Sequence, residues 1–99
     1  MSLAQIQAGD PVIINAVLTL ANTEYSFDLG VNTKQFLLQN RGTEPLKVSF
    51  TAGQSGTNYF TIKSSGTWFE VAIHGPLIVY IQCATPGVTI ELINWIGEN

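Results

Sequence analysis

The sequence predicts an all-β protein: an antiparallel β-sandwich, jelly-roll-like, with seven to eight strands in one domain over residues 1–99. Three observations predict it. No segment keeps a 3.6-residue apolar period over the ten or so residues that a helix needs. Short runs rich in β-branched and aromatic residues alternate between apolar and polar. Turn signals between them recur every eight to twelve residues or so, the spacing of a sandwich or small barrel. A sandwich is preferred to a closed barrel.

Residues 1–9 carry little pattern beyond Leu3 and Ile6 and read as an arm or short first strand. From Val12 to Leu20, residues Val12, Ile14, Ala16, Leu18 and Leu20 share one face, with Ile13 and Val17 opposite. The run through Ala21 could pass for the apolar part of a signal peptide, but Asp10 and Pro11 stand where basic residues are expected, so it reads as a strand. After a turn at Ala21–Glu24, Tyr25, Phe27 and Leu29 alternate with Ser26 and Asp28. Gly30–Thr33 turns the chain into a strand over Lys34–Asn40. Arg41–Pro45 is a polar loop in which Gly42 is expected at positive φ. Leu46, Val48 and Phe50 then alternate with Lys47 and Ser49 as a half-exposed strand.

The stretch Ala52–Asn58 (AGQSGTN) is glycine-rich and uncharged, and is expected to be the most mobile segment. Tyr59–Ile62 follows, with Phe60 and Ile62 inward. Beyond the turn Lys63–Gly66, a strand over Thr67–Ile73 places Phe69, Val71 and Ile73 inward and Trp68, Glu70 and Ala72 outward. His74–Pro76 leads to two apolar runs, LIVYIQ and VTIELINW, joined by CATPG; they read as a β-hairpin over Leu77–Trp95 with a longer loop. Leu77–Tyr80 is apolar on both faces, and Ile93 and Trp95 break the polar face of the second run. Strands apolar on both sides need cover on both sides: the core on one, another segment or subunit on the other.

Composition narrows the function classes. Hydrophobic residues make up 45% of the chain, enough for one core. Charged residues make up 11%, well under the ~25% usual for soluble domains, so solubility rests on Thr, Asn, Gln and Ser. The four basic residues (Lys34, Arg41, Lys47, Lys63) are scattered, which argues against nucleic acid as a partner. No run reaches the roughly 18 apolar residues of a membrane helix, so no membrane partner is expected. Cys83 is alone, which rules out a disulfide within this sequence; it reads as a buried small hydrophobe.

Chemistry is hard to assemble from the remaining residues, and the expectation is a protein that is not an enzyme and holds no cofactor or metal. His74 is the single histidine, sits in a Gly-Pro turn and has no G-x-S-x-G partner motif. One His and one Cys cannot make a zinc site, and the carboxylates never cluster as calcium loops require. Glu24 and Asp28 flank a strand and are not expected to share a site; Glu70 and Glu91 would need a cleft that a sandwich this small rarely offers. Tyr59, Trp68, Tyr80 and Trp95 could stack on sugar rings, so a carbohydrate-binding sandwich is the alternative reading. The same residue types are enriched at protein interfaces.

The segments KQFLLQNRGTEPLKVSF (Lys34–Phe50), YFTI (Tyr59–Ile62), GTWFEV (Gly66–Val71) and LIVYIQCATPGVTIELINW (Leu77–Trp95) together resemble small accessory virion proteins of tailed phages. The resemblance covers about the last two-thirds of the chain; the first thirty residues depart from it. It implies a non-enzymatic β-sandwich on a phage head or tail, of capsid-decoration or spike type, located in the virion. Its partners would be itself, as a homotrimer, and other virion proteins. The expected self-contact is the non-core side of the terminal hairpin and its neighbour: Ile78, Tyr80, Ile93, Trp95, Ile13 and Val17, helped by the arm at Leu3 and Ile6.

Overall fold

A computed structural model of the chain describes residues 10–30, 32–70, 73 and 76–97. The described residues form eight strands: β1 (Asp10–Leu18), β2 (Tyr25–Asp28), β3 (Thr33–Asn40), β4 (Leu46–Ser49), β5 (Phe60–Ile62), β6 (Thr67–Glu70), β7 (Ile78–Cys83) and β8 (Val88–Ile96). Sheet I has the order β1-β8-β3-β6 and sheet II the order β2-β7-β4-β5, every pair antiparallel. This is the double-sheet jelly roll: an all-β antiparallel sandwich in which the chain crosses between sheets at every connection except β4 to β5.

The terminal hairpin expected over Leu77–Trp95 is not formed: β7 lies in sheet II and β8 in sheet I. The residues at Ala84–Gly87 carry the chain over the end of the sandwich instead. Gly87, at φ +82°, makes a bend that L side chains rarely adopt, and its amide bonds to the Leu18 carbonyl at the end of β1. The alternation expected at Val88, Ile90 and Leu92 does face the core. Val79, Ile81 and Cys83 of β7 and Val88, Ile90 and Leu92 of β8 are all buried, facing the core from opposite sheets. With Leu18, Leu29, Phe36, Leu38, Leu46, Val48 and Ile62 they make one core.

Other boundaries shift for local reasons. Only Ile14, Ala16 and Leu18 of the first apolar row reach the core; Val12 and Leu20 stand exposed at 42% and 60%. Gly42 is not at positive φ: it is small because a Cβ there would lie 2.6 Å from a methyl of buried Val88. In the expected Thr67–Ile73 strand the facing is inverted at Trp68 and Phe69, whereas Ile73 packs against the core as expected. Trp68 pairs with Leu38 and packs inward, while Phe69 pairs with Leu37 and is 49% exposed. Two large neighbours cannot both point inward along a strand, and on the inward side the indole meets buried Phe36 and the partly exposed rings of Phe50 and Phe60. Residues 1–9, Val71, Ala72 and His74, and with them the arm at Leu3 and Ile6, lie outside the described residues.

Asn40, fully buried at the end of β3, fastens the two sheets together. Its amide nitrogen donates to the carbonyls of Glu44 (2.8 Å), Lys63 (3.1 Å) and Ile62 (3.2 Å), and its oxygen accepts from the Gly42 amide at 2.8 Å.

Candidate functional site: two unlike outer faces and an aromatic edge

The outward positions of the two sheets differ sharply. On sheet II they are Ser26 and Asp28 of β2, Ile78, Tyr80 and Gln82 of β7, Lys47 and Ser49 of β4, and Thr61 of β5, mostly polar. The loop after β4 folds back over this face. Ser55 is wholly buried, its hydroxyl accepting from the Gln82 amide at 2.9 Å. Glu24 accepts from the Gly53 amide (2.8 Å), the Ser55 amide (3.1 Å) and the Ser55 hydroxyl. These bonds, the Ser55 hydroxyl first and the Gly53 amide next, hold the Glu24 carboxyl below its ordinary pKa. The same cover explains why Ser49, expected half-exposed, is buried. The stretch Ala52–Asn58 is thus tied down at Gly53 and Ser55 rather than free, and its cover for β7 comes from the chain itself.

Sheet I shows the opposite character. Reading across β1, β8, β3 and β6, the outward residues Ile13, Ile93, Leu37 and Phe69 are in register and form one apolar row over all four strands. Beside it runs the row Pro11, Trp95 and Gln35, with Trp95 edge-to-face against Phe69 at 6.1 Å between centroids. On the other side lies the polar row Asn15, Glu91, Gln39 and Thr67. Ile13 is 66% exposed, and Val17 and Phe69 are 49% exposed, so no described residue covers this face.

The six residues expected to form one self-contact therefore do not share a surface. Ile13, Val17, Ile93 and Trp95 stand on sheet I; Ile78 and Tyr80 stand on sheet II, on the far side of the core. The expectation assumed a hairpin, and a crossover between sheets puts the outward sides of β7 and β8 back to back. Sequence reading missed Leu37 and Phe69. Leu37 was legible as an outward apolar residue next to Phe36 and Leu38, whereas Phe69 was hidden by the inverted facing of β6.

At the β5–β6 edge, Trp68 is ringed by Phe36, Phe50 and Phe60 at 4.5, 5.3 and 4.4 Å between centroids, with interplanar angles of 88°, 64° and 80°. Its indole N–H donates to Glu70 at 2.9 Å. A shallow depression of about 270 Å³ beside it is lined by Phe36, Phe50, Trp68, Glu70, Ile73 and Leu77. A sugar-stacking platform needs open, coplanar rings, and these rings pack edge to face. Tyr59 lies under the Lys47 ammonium at 5.1 Å, and Tyr80 is on the outer face of sheet II, so the four candidate aromatics do not form one row.

The paired carboxylates separate. Glu70 turns to Trp68, whereas Glu91 faces outward from sheet I and pairs with Arg41 at 2.6 Å. Glu24 holds the β4–β5 loop, and Asp28 accepts from the Gly30 amide at 2.9 Å. Cys83 is wholly buried, its thiol against the Pro45 carbonyl at 3.4 Å. Among the described residues no helix is long and apolar enough to cross a membrane.

No protein-family model matches the chain, and no curated protein matches it. Two solved structures share its fold. One is a de novo designed double-stranded β-helix, solved by NMR in solution: TM-score 0.52, 12% identity, covering 86% of this chain and 96% of the designed one. The other is from Bacillus endospore appendages, described as a novel family of disulfide-linked pili: TM-score 0.53, 14% identity, covering 90% of this chain and 87% of that chain. At these identities the likeness is one of fold.

Proposed function

We propose that this chain is a structural building block that works by associating with copies of itself, and that it catalyses no reaction. The observation that carries the reading is the outer face of sheet I, an apolar row four strands wide that no described residue covers, on a chain with few charges to oppose association. Contiguous apolar surface of a few hundred Å² is more than scattered exposure, and marks a place of contact. The pilus neighbour lends support, being a chain of similar fold from endospore appendages. That neighbour belongs to disulfide-linked pili, whereas Cys83 is buried here, so assembly of this chain would be non-covalent.

The resemblance in Lys34–Phe50, Tyr59–Ile62, Gly66–Val71 and Leu77–Trp95 makes the proposal more specific: an accessory protein of a tailed-phage particle, of capsid-decoration type, located in the virion and contacting other virion proteins. The resemblance also implies a trimer. Two measurements test the reading. Particles purified by density gradient and washed in high salt should retain the chain, as detected by mass spectrometry. Light scattering of the isolated chain at micromolar concentration should give a mass above one copy; a stable 10.7 kDa monomer would sink the proposal.

A further inference from the structure

We infer that the outer face of sheet I is a homotypic contact, at which two copies of this chain pack sheet on sheet about a two-fold axis. The inference rests on the building-block reading and names its surface. Sheet packing of this kind brings two faces to about 10 Å with strands nearly aligned. Given strands of 9, 9, 8 and 4 residues at ~3.4 Å per residue, spaced ~4.8 Å apart, the face offers about 500 Å² per copy. Two such faces remove about 1,000 Å² from water, which reaches the size at which specific contacts begin.

The pattern across the face suits a copy of itself. An axis along the strands between β8 and β3 sets Ile93 over the partner's Leu37, and Ile13 over the partner's Phe69. Both contacts are apolar on apolar, and each occurs twice, as an isologous contact requires. The three central rows carry a single charged side chain, Glu91, and Arg41 of the same chain pairs with it at 2.6 Å. Facing copies therefore bring no uncompensated like charges together. A trimer, by contrast, needs two unlike complementary surfaces on each copy. The outer face of sheet II is polar and partly covered by its own loop, and it does not complement an apolar row.

Sedimentation velocity on the full chain, from sub-micromolar to about 100 μM, tests the contact. The wild-type chain is expected as dimers or even-numbered multiples. Ile13→Asp and Phe69→Asp change residues that stand in water in the single copy, and each should weaken association at least about tenfold. Circular dichroism should stay unchanged and thermal unfolding should remain cooperative, its midpoint matching wild type at concentrations where both are monomeric, and Ile78→Asp on sheet II should leave the mass distribution as in wild type. Should an aspartate variant lose its fold, Ile13→Thr and Phe69→Thr replace it at the same positions. An oligomer insensitive to sheet I substitutions but broken by Ile78→Asp, or one of three copies, overturns this inference and leaves the building-block reading standing. A chain monomeric throughout, whether the face stays wet or residues 1–9 fold over it, overturns both.

Discussion

One carboxamide, that of Asn40, satisfies backbone groups from the β3–β4 loop and the β5–β6 turn, so its removal reaches far beyond its own volume. Asn40→Ala removes a donor from the carbonyls of Glu44, Ile62 and Lys63 and the acceptor of the Gly42 amide, although the Lys63 carbonyl keeps the Gly66 amide as a partner. At roughly 1–3 kcal/mol for each buried group left unpaired, and with some regained from water, the loss should be about 3 kcal/mol in urea denaturation. Asn94 is a useful contrast. Its amide makes a single bond, to the Leu29 carbonyl at 2.9 Å, and its oxygen has no partner among the described residues, so Asn94→Ala should cost clearly less. Glu24 gives a pH signature. Its pKa is lowered on folding, so its stabilisation is fully present above the unfolded-state value and is lost as pH falls through the lower folded value. The amide resonances of Gly53 and Ser55 should therefore titrate together with a midpoint below that of an ordinary glutamate, and Glu24→Gln should abolish the titration. A midpoint at the ordinary value would mean that the carboxylate does not hold the loop.

Among the strands, β6 separates burial from exposure in two adjacent residues. Trp68→Ala empties the centre of a four-ring cluster and should cost about 3–5 kcal/mol, whereas Phe69→Thr should change stability by less than about 1 kcal/mol. Both are to be measured by chemical denaturation at sub-micromolar concentration, where association does not add to apparent stability. The same strand shows where sequence reading stops. Strand existence was legible because apolar runs and period-two alternation are local: Val88/Ile90/Leu92 announce their inward face without reference to any neighbour, whereas Leu77–Tyr80, apolar on both sides, marks a strand without marking its inward side. Strand pairing was not, since a hairpin and a crossover between sheets require the same inward residues and both tolerate Pro86-Gly87. The Trp68–Phe69 choice depends on rings at Phe36, Phe50 and Phe60, far away in sequence. The order of the Ala52–Asn58 loop depends on Glu24 and Gln82, and nothing in the loop's own glycine-rich composition reveals them. The candidate surface was half legible: Ile13, Val17, Ile93 and Trp95 were singled out as two-sided strand residues, and only the topology could separate them from Ile78 and Tyr80.

At the scale of the molecule, stability is carried by partners distant in sequence. β8 lies between β1 and β3, so a chain ending at Gly87 loses the centre of sheet I and should show no cooperative unfolding transition by circular dichroism. Refolding of the full chain should take milliseconds to seconds, as expected where nearly every strand pair is non-local; microsecond refolding would contradict the strand order. The pairing of Asp10–Leu18 with Val88–Ile96 has a consequence for synthesis. The first strand leaves the ribosome long before its neighbour is translated, and at 5–20 residues per second the wait is roughly 4–16 s. Throughout that interval an apolar segment has no hydrogen-bonding mate in its own nascent chain. Asp10 and Pro11, which open it, are the kinds of residue that discourage neighbouring nascent chains on a polysome from zipping together there.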